Sequence, residues 1–180
     1  MRLFALAAFA ATLLLTPIAR AEVVSASSST FTIQAEAELA ATPDRVWRDL
    51  ARIERWWGSA HTYSGDASRL RLEARAGGCW CERWGNGQSV EHMRVVAVLE
   101  HDDVRTLRAV GGLGPLQEMG VAGVLTFTVT PHPNGAKLTM TYLVTGDPSL
   151  NLNTIAPAVD GVLMEQFGRL GRFSVTGTPD

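Results

Sequence analysis

The run Cys79-Trp80-Cys81-Glu82 places two thiols and a carboxylate within four positions. On a strand, Trp80 and Glu82 share one face, and Cys79, Cys81 and Arg83 share the other. A carboxylate turned into apolar surroundings has a raised pKa unless a cation answers it, and such a group is suited to proton transfer. Arg94 and Arg108, on strands expected nearby, are the candidate cations. An internal Glu–Arg pair that organises the sheet is the purely structural alternative. Of the four histidines, His101 and His132 fall in turns. His92 follows Glu91 on a long strand, and its face depends on whether that strand carries a bulge. His61 lies just past Trp56-Trp57, in a loop. Glu82, His92 and His61 are therefore the candidate acid/base residues. No pair of histidines recurs at helical ligand spacing, so no metal site is expected. No Gly-x-Ser-x-Gly elbow, phosphate loop or nucleotide fingerprint is present, so no cofactor is expected. Cys79 and Cys81 on a regular strand would have Cα atoms about 6.5–7 Å apart, at the edge of disulfide reach. The pair is read as two packed thiols, with a redox-active bridge as the alternative.

The chain around these residues is 180 long, 46% hydrophobic and 19% charged, a globular rather than disordered balance. A formal net charge of -2 argues against a nucleic-acid partner, which is usually met with a basic face. Arg2, the apolar run from Leu3 to Leu15, Pro17 and Ala19-Arg20-Ala21 have the order of a cleavable signal peptide over residues 1–21. The apolar run is short of the roughly 20 residues that cross a bilayer. Cleavage after Ala21 implies a periplasmic or secreted product with no membrane segment in the mature chain. Residues 22–30, rich in Ser and Ala, read as a linker or frayed arm, and one domain is expected over 31–175.

Phe31 to Leu39 alternates apolar and polar, the pattern of a half-buried strand. Thr42-Pro43-Asp44 opens a helix by cap, first-turn proline and dipole-matched acid. Its apolar stripe, Val46, Trp47 and Leu50, continues through Ile53 and Trp57 until Gly58, and only one of Trp56 and Trp57 can then face inward. Strands follow at 70–73, 79–84, 90–99, 104–110, 121–130 and 136–145, with Gly85-Asn86-Gly87 a hairpin turn. Gly111 to Met119 reads as a flap with Pro115-Leu116 at its tip. Ile155, Val159, Val162, Leu163, Gln166, Phe167, Leu170 and Phe173 recur at three- and four-residue steps, marking a long amphipathic helix. The fold class is α+β: a curved antiparallel sheet wrapped around a long C-terminal helix, with two short helices after the first strand.

Thr42-Pro-Asp-Arg-Val-Trp-Arg-Asp-Leu50 with Trp56-Trp57, followed by Gly77-Gly78-Cys-Trp-Cys-Glu82, resembles the SRPBCC superfamily of START-like, Bet v 1-like helix-grip proteins. The closest branch is the Aha1-like and polyketide cyclase-like one. The resemblance covers residues 31–175 and implies a ligand cavity between sheet and long helix, with the Trp80–Glu82 face turned inward. On that basis the cavity wall is expected from Trp57, Trp80, Glu82, Leu107, Met119, Phe127, Met140, Tyr142, Met164 and Phe167. The expected partner is a small hydrophobic ligand, bound by burial of apolar area at about 25 cal/mol per Å². The alternatives are a polyketide cyclase- or dehydratase-like enzyme using a cavity Glu or His, and an envelope protein-interaction module with a filled core. Fold alone does not choose among them.

Overall fold

A computed structural model describes residues 20–180, with side chains from Val23 onward. The signal peptide expected over residues 1–21 lies, up to residue 19, outside the described residues. Residues 22–30 do not form the expected linker. Arg20–Ala26 is a strand, β1, whose backbone pairs with Thr30–Leu39, β2, so the arm is held by ladder hydrogen bonds despite its Ser- and Ala-rich composition.

Pro43–Leu50 is helix α1. The Thr42 hydroxyl accepts the Arg45 N–H at 3.3 Å and Pro43 occupies the first turn. The helix stops at Leu50, short of the expected Gly58, and three single-turn 3-10 segments follow at Ile53–Arg55, Ser59–His61 and Ala67–Arg69. The backbone at Arg52, φ −92° and ψ 54°, is where helical geometry breaks. The break frees Trp56 and Trp57 from helical spacing, and both are buried, contrary to the expectation that only one faces inward. The short helices expected after β2 are thus α1 and these 3-10 turns.

Strands Leu70–Leu72 (β3), Cys79–Trp84 (β4), Gln88–His101 (β5), Val104–Val110 (β6), Ala122–His132 (β7) and Gly135–Thr145 (β8) complete an antiparallel sheet. Its order is β1-β2-β8-β7-β6-β5-β4-β3. Alternation sets the faces: on β7 and β8, Leu125, Phe127, Val129, Leu138, Met140, Tyr142 and Val144 are all buried, as a strand's two-residue period requires. The last element, helix α2 at Leu152–Thr176, lies on that apolar face. It packs chiefly on β1 and β2, with Leu152, Ala156, Phe167, Leu170 and Phe173 buried along its length. A Cβ at Gly171 would stand 3.3 Å from Leu39 Cδ2, so glycine there permits the close approach of helix and sheet. Among the described residues no helix is long and apolar enough to cross a membrane.

Candidate functional site

The register between β4 and β5 contains the feature that builds the site. Trp80 faces Met93 and Cys81 faces Glu91, so His92 is an extra residue on β5 without an opposite number. A bulge of this kind lets consecutive side chains turn to one face, and His92 and Met93 are both buried. The bulge brings His92 to Glu82 on the neighbouring strand, Nε2 to Oε2 3.1 Å.

Glu82 is completely buried. Neither Arg94 nor Arg108 answers it: Arg94 binds Glu91 at 3.1 and 2.5 Å, and Arg108 donates to Thr126 Oγ1. The carboxylate instead accepts the backbone N–H of Ser64 at 2.6 Å and of Tyr63 at 3.0 Å, besides His92. Burial pushes its pKa up. The Ser64 hydroxyl, the N–H groups of Ser64 and Tyr63, and His92 together outweigh burial and hold it below the ordinary carboxylate value. Burial drives the His92 pKa down, and hydrogen bonding and attraction to Glu82 only partly offset this. His92 is therefore a neutral imidazole at neutral pH. Because an ionised carboxylate can only accept, Nε2 carries the ring proton and Nδ1 holds the free lone pair.

His92 lines a cavity of about 520 Å³ beneath the N-terminal half of α2. Ile155, Val159, Val162 and Leu163 of α2 form one wall, Trp57 to Tyr63 a second, and Leu113 to Leu116 of the flap a third. The approach to α2 is fixed by two bonds at the base: Gly58 N–H to Gln166 Oε1 at 2.6 Å, and Arg169 Nε to the Trp56 carbonyl at 2.8 Å. The Trp57 indole donates to the His61 carbonyl at 2.9 Å and stacks edge-on against Trp80, 5.1 Å between centroids. At the mouth, His61 meets Glu165 at 3.1 Å. The flap forms a 3-10 turn over Gly114–Met119. The Tyr63 hydroxyl donates to the Gly114 carbonyl at 3.2 Å, and Gln117 Nε2 donates to the Glu91 carbonyl at 2.7 Å, so the flap is tied to the Trp57–Tyr63 wall and to β5.

Of the expected wall residues, Trp57 lines this cavity, and His61 and His92 line it with Trp57. Glu82 stands behind His92. Trp80, Leu107, Met119, Phe127, Met140, Tyr142, Met164 and Phe167 do not line it, and this corrects the expectation. Trp80, Leu107, Phe127, Met140 and Phe167 are buried in contact with other core side chains, because the C-terminal half of α2 closes on the sheet there. Met119 and Met164 pack at the edge of the same core. Tyr142 supports the flap: its hydroxyl donates to the Gly111 carbonyl and accepts the Leu113 N–H, each at 3.1 Å, and burial pushes its pKa up to about 12. The α2 wall was missed although Ile155, Val159, Val162 and Leu163 belong to the recognised helical stripe. Their clustering toward its N-terminal end is the signal that could have located the cavity.

On the opposite sheet face Cys79 and Cys81 form a disulfide, so the reading as two free thiols is replaced. Their Cα atoms are 5.3 Å apart, closer than the roughly 6.5–7 Å of a regular strand, on the stretch of β4 that faces the His92 bulge. Glu91 lies beside them, but with both sulfurs bonded the group offers no thiolate to a cation.

A family model described as polyketide cyclase / dehydrase and lipid transport matches residues 30–172. No curated protein matches the chain. Among solved structures, an uncharacterised protein from Rhizobium leguminosarum is 20% identical, with a TM-score of 0.53 over 87% of this chain and 97% of that one. Norcoclaurine synthase from Thalictrum flavum, a point mutant in complex with a transition-state analogue, is 14% identical, with a TM-score of 0.51 over 81% and 94%. A protein from the dynemicin biosynthetic locus is 21% identical, with a TM-score of 0.54 over 82% of this chain and 48% of that one. At such identities these likenesses speak for the fold. With the family match spanning β2 to β8, the flap and nearly all of α2, the chain belongs to the polyketide cyclase / dehydrase and lipid transport family of the SRPBCC superfamily.

Proposed function

We propose that this chain is an exported binding protein for a small, mostly apolar molecule, taken up in the cavity under α2 and oriented by His92. The observation that carries the reading is the cavity itself: about 520 Å³, walled by Trp57, Leu113, Leu116, Ile155, Val159, Val162 and Leu163, with His92 as its buried polar member. Ligand sites are commonly of this size and makeup, apolar with few placed polar groups. A neutral His92 offers the Nδ1 lone pair to a hydroxyl or N–H of the guest. Export is supported by the leader-like residues 1–21 and by the Cys79–Cys81 disulfide, since such bonds persist in oxidising compartments. Native mass spectrometry of protein purified from its own host is expected to find a co-purifying small molecule that Val159→Trp excludes. A guest-free chain that binds no apolar probe would refute the proposal.

A second reading, an enzyme of the cyclase or dehydratase kind, is favoured by one observation, the His92–Glu82 hydrogen bond. A carboxylate that fixes the tautomer and orientation of a histidine leaves the other ring nitrogen to act as a general base. Proton abstraction at Nδ1 would make an imidazolium, which Glu82 then stabilises. His92→Gln separates the two readings. A carrier keeps most of its affinity, whereas an enzyme keeps affinity and loses turnover by about 10²–10⁴-fold.

A further inference from the structure

We propose that the Cys79–Cys81 disulfide is a thiol-exchange site that takes a small anionic thiol, on the sheet face opposite the ligand cavity. The bond spans one intervening residue, Trp80. A loop so short removes little chain entropy, so holding the fold together is not a sufficient reason for the bond. Both cysteines are half-buried rather than sealed, near the sheet edge that the three-residue strand β3 forms.

They open on a groove of about 310 Å³ lined by Arg69, Arg71, Arg83 and one carboxylate, Glu73, which is itself paired with Arg75 at 2.7 Å. Arg71 is the cross-strand partner of Cys81, and Arg83 is the next residue on the same face of β4. Arg69 is paired with Asp66 at 3.3 Å. Arg71 donates to the carbonyls of Ser68 and Leu70, at 2.8 and 2.5 Å, which fixes its guanidinium without neutralising it. Neither Arg71 nor Arg83 has a carboxylate partner among the described residues, so two uncompensated cations face the groove at Cys81. Cys79 has a different neighbour: Glu91 Oε2 is 3.8 Å from its sulfur, and Arg94 clamps that carboxylate.

This asymmetry assigns the direction of the exchange. A thiolate R–S⁻ whose carboxylate the arginines hold attacks Cys79 Sγ in line with the S–S bond. The S–S bond breaks and its electron pair passes to Cys81 Sγ, which becomes a thiolate facing Arg71 and Arg83. Cations beside a sulfur lower its pKa and make it the better leaving group. A second R–S⁻ attacks the outer sulfur of the mixed disulfide, and Cys79 leaves and takes a proton from water. Two thiolates have then been oxidised to R–S–S–R and the protein disulfide reduced to a dithiol. With R–S–S–R in excess the same steps run backward.

The test reduces the native, oxidised chain with three thiols: glutathione (anionic), 2-mercaptoethanol (neutral) and cysteamine (cationic). Rates are corrected for each thiol's ionised fraction and followed by alkylation and mass spectrometry. A glutathione adduct is expected at Cys79, with glutathione faster than cysteamine by on the order of tenfold, a gap that narrows at high salt. The double variant Arg71→Gln/Arg83→Gln should level the three rates. Equal rates on the native chain, a ranking that survives the double variant, or a bond that resists all three thiols until the chain is unfolded would each overturn the proposal.

Discussion

Two histidine–carboxylate pairs border the same cavity at the same separation, 3.1 Å: His92 with Glu82, and His61 with Glu165. The side chains of the first are 7% and 0% exposed, those of the second 29% and 51%. The inner pair is shielded from bulk solvent, backbone N–H groups of the 63–64 turn hold the carboxylate, and one histidine tautomer is imposed. In the outer pair water competes for every contact and the geometry is held by long side chains alone. Equal distance therefore does not mean equal chemistry. The inner pair is a preorganised polar wall, and the outer pair is a solvated contact at the rim.

The largest effect expected from breaking this comparison comes at Glu82. Glu82→Ala leaves two part-buried N–H donors and a buried histidine without their acceptor, and should cost about 3–5 kcal/mol of stability in urea unfolding. Glu82→Gln keeps the shape but turns an amide N–H₂ toward a backbone N–H of Tyr63 or Ser64, which can only donate, for about 1–3 kcal/mol. Acid titration sharpens the contrast next. Glu82 and His92 both have folded pKa values below their unfolded ones, so unfolding takes up protons and stability is lost as pH falls. The His92 contribution should decline from about pH 6.5 downward and that of Glu82 from about pH 4.5 downward. His92→Gln should abolish the upper stage. The smallest effect is at the rim, where His61→Gln should change stability by no more than about 0.5 kcal/mol and leave both stages in place.

Much of the fold was legible because its signals are periodic. Alternation over 121–130 and 136–145 locates β7 and β8 to within two residues at each end, and the three- and four-residue recurrence from Ile155 to Phe173 lies wholly inside α2. Thr42-Pro43 marks the start of α1, but its end is decided by a main-chain break at Arg52 for which side-chain periodicity carries no signal. Strand β1 escaped notice because Arg20–Ala26 shows no sustained alternation, its register being interrupted between Val23 and Ser25, while its ladder is set by the free edge of β2. At the site, Glu82, His92 and His61 were identifiable by residue type. What holds them was not: the groups that answer Glu82 are backbone N–H groups, which every sequence has, and His92 points inward by virtue of a bulge. The expected wall was displaced along α2, since Met164 and Phe167 sit where helix and sheet close, while Val159 and Val162 sit where they part.

The central claim is that the space under the N-terminal half of α2 is a ligand site rather than a packing fault. Titrating the wild-type chain and Val159→Trp with a fluorescent apolar probe, alongside urea unfolding of both, tests it most directly. The account predicts saturable one-to-one binding by the wild type, lost in the variant at nearly unchanged stability. Equal probe binding by both chains, or none by the wild type freed of any co-purified guest, would contradict it.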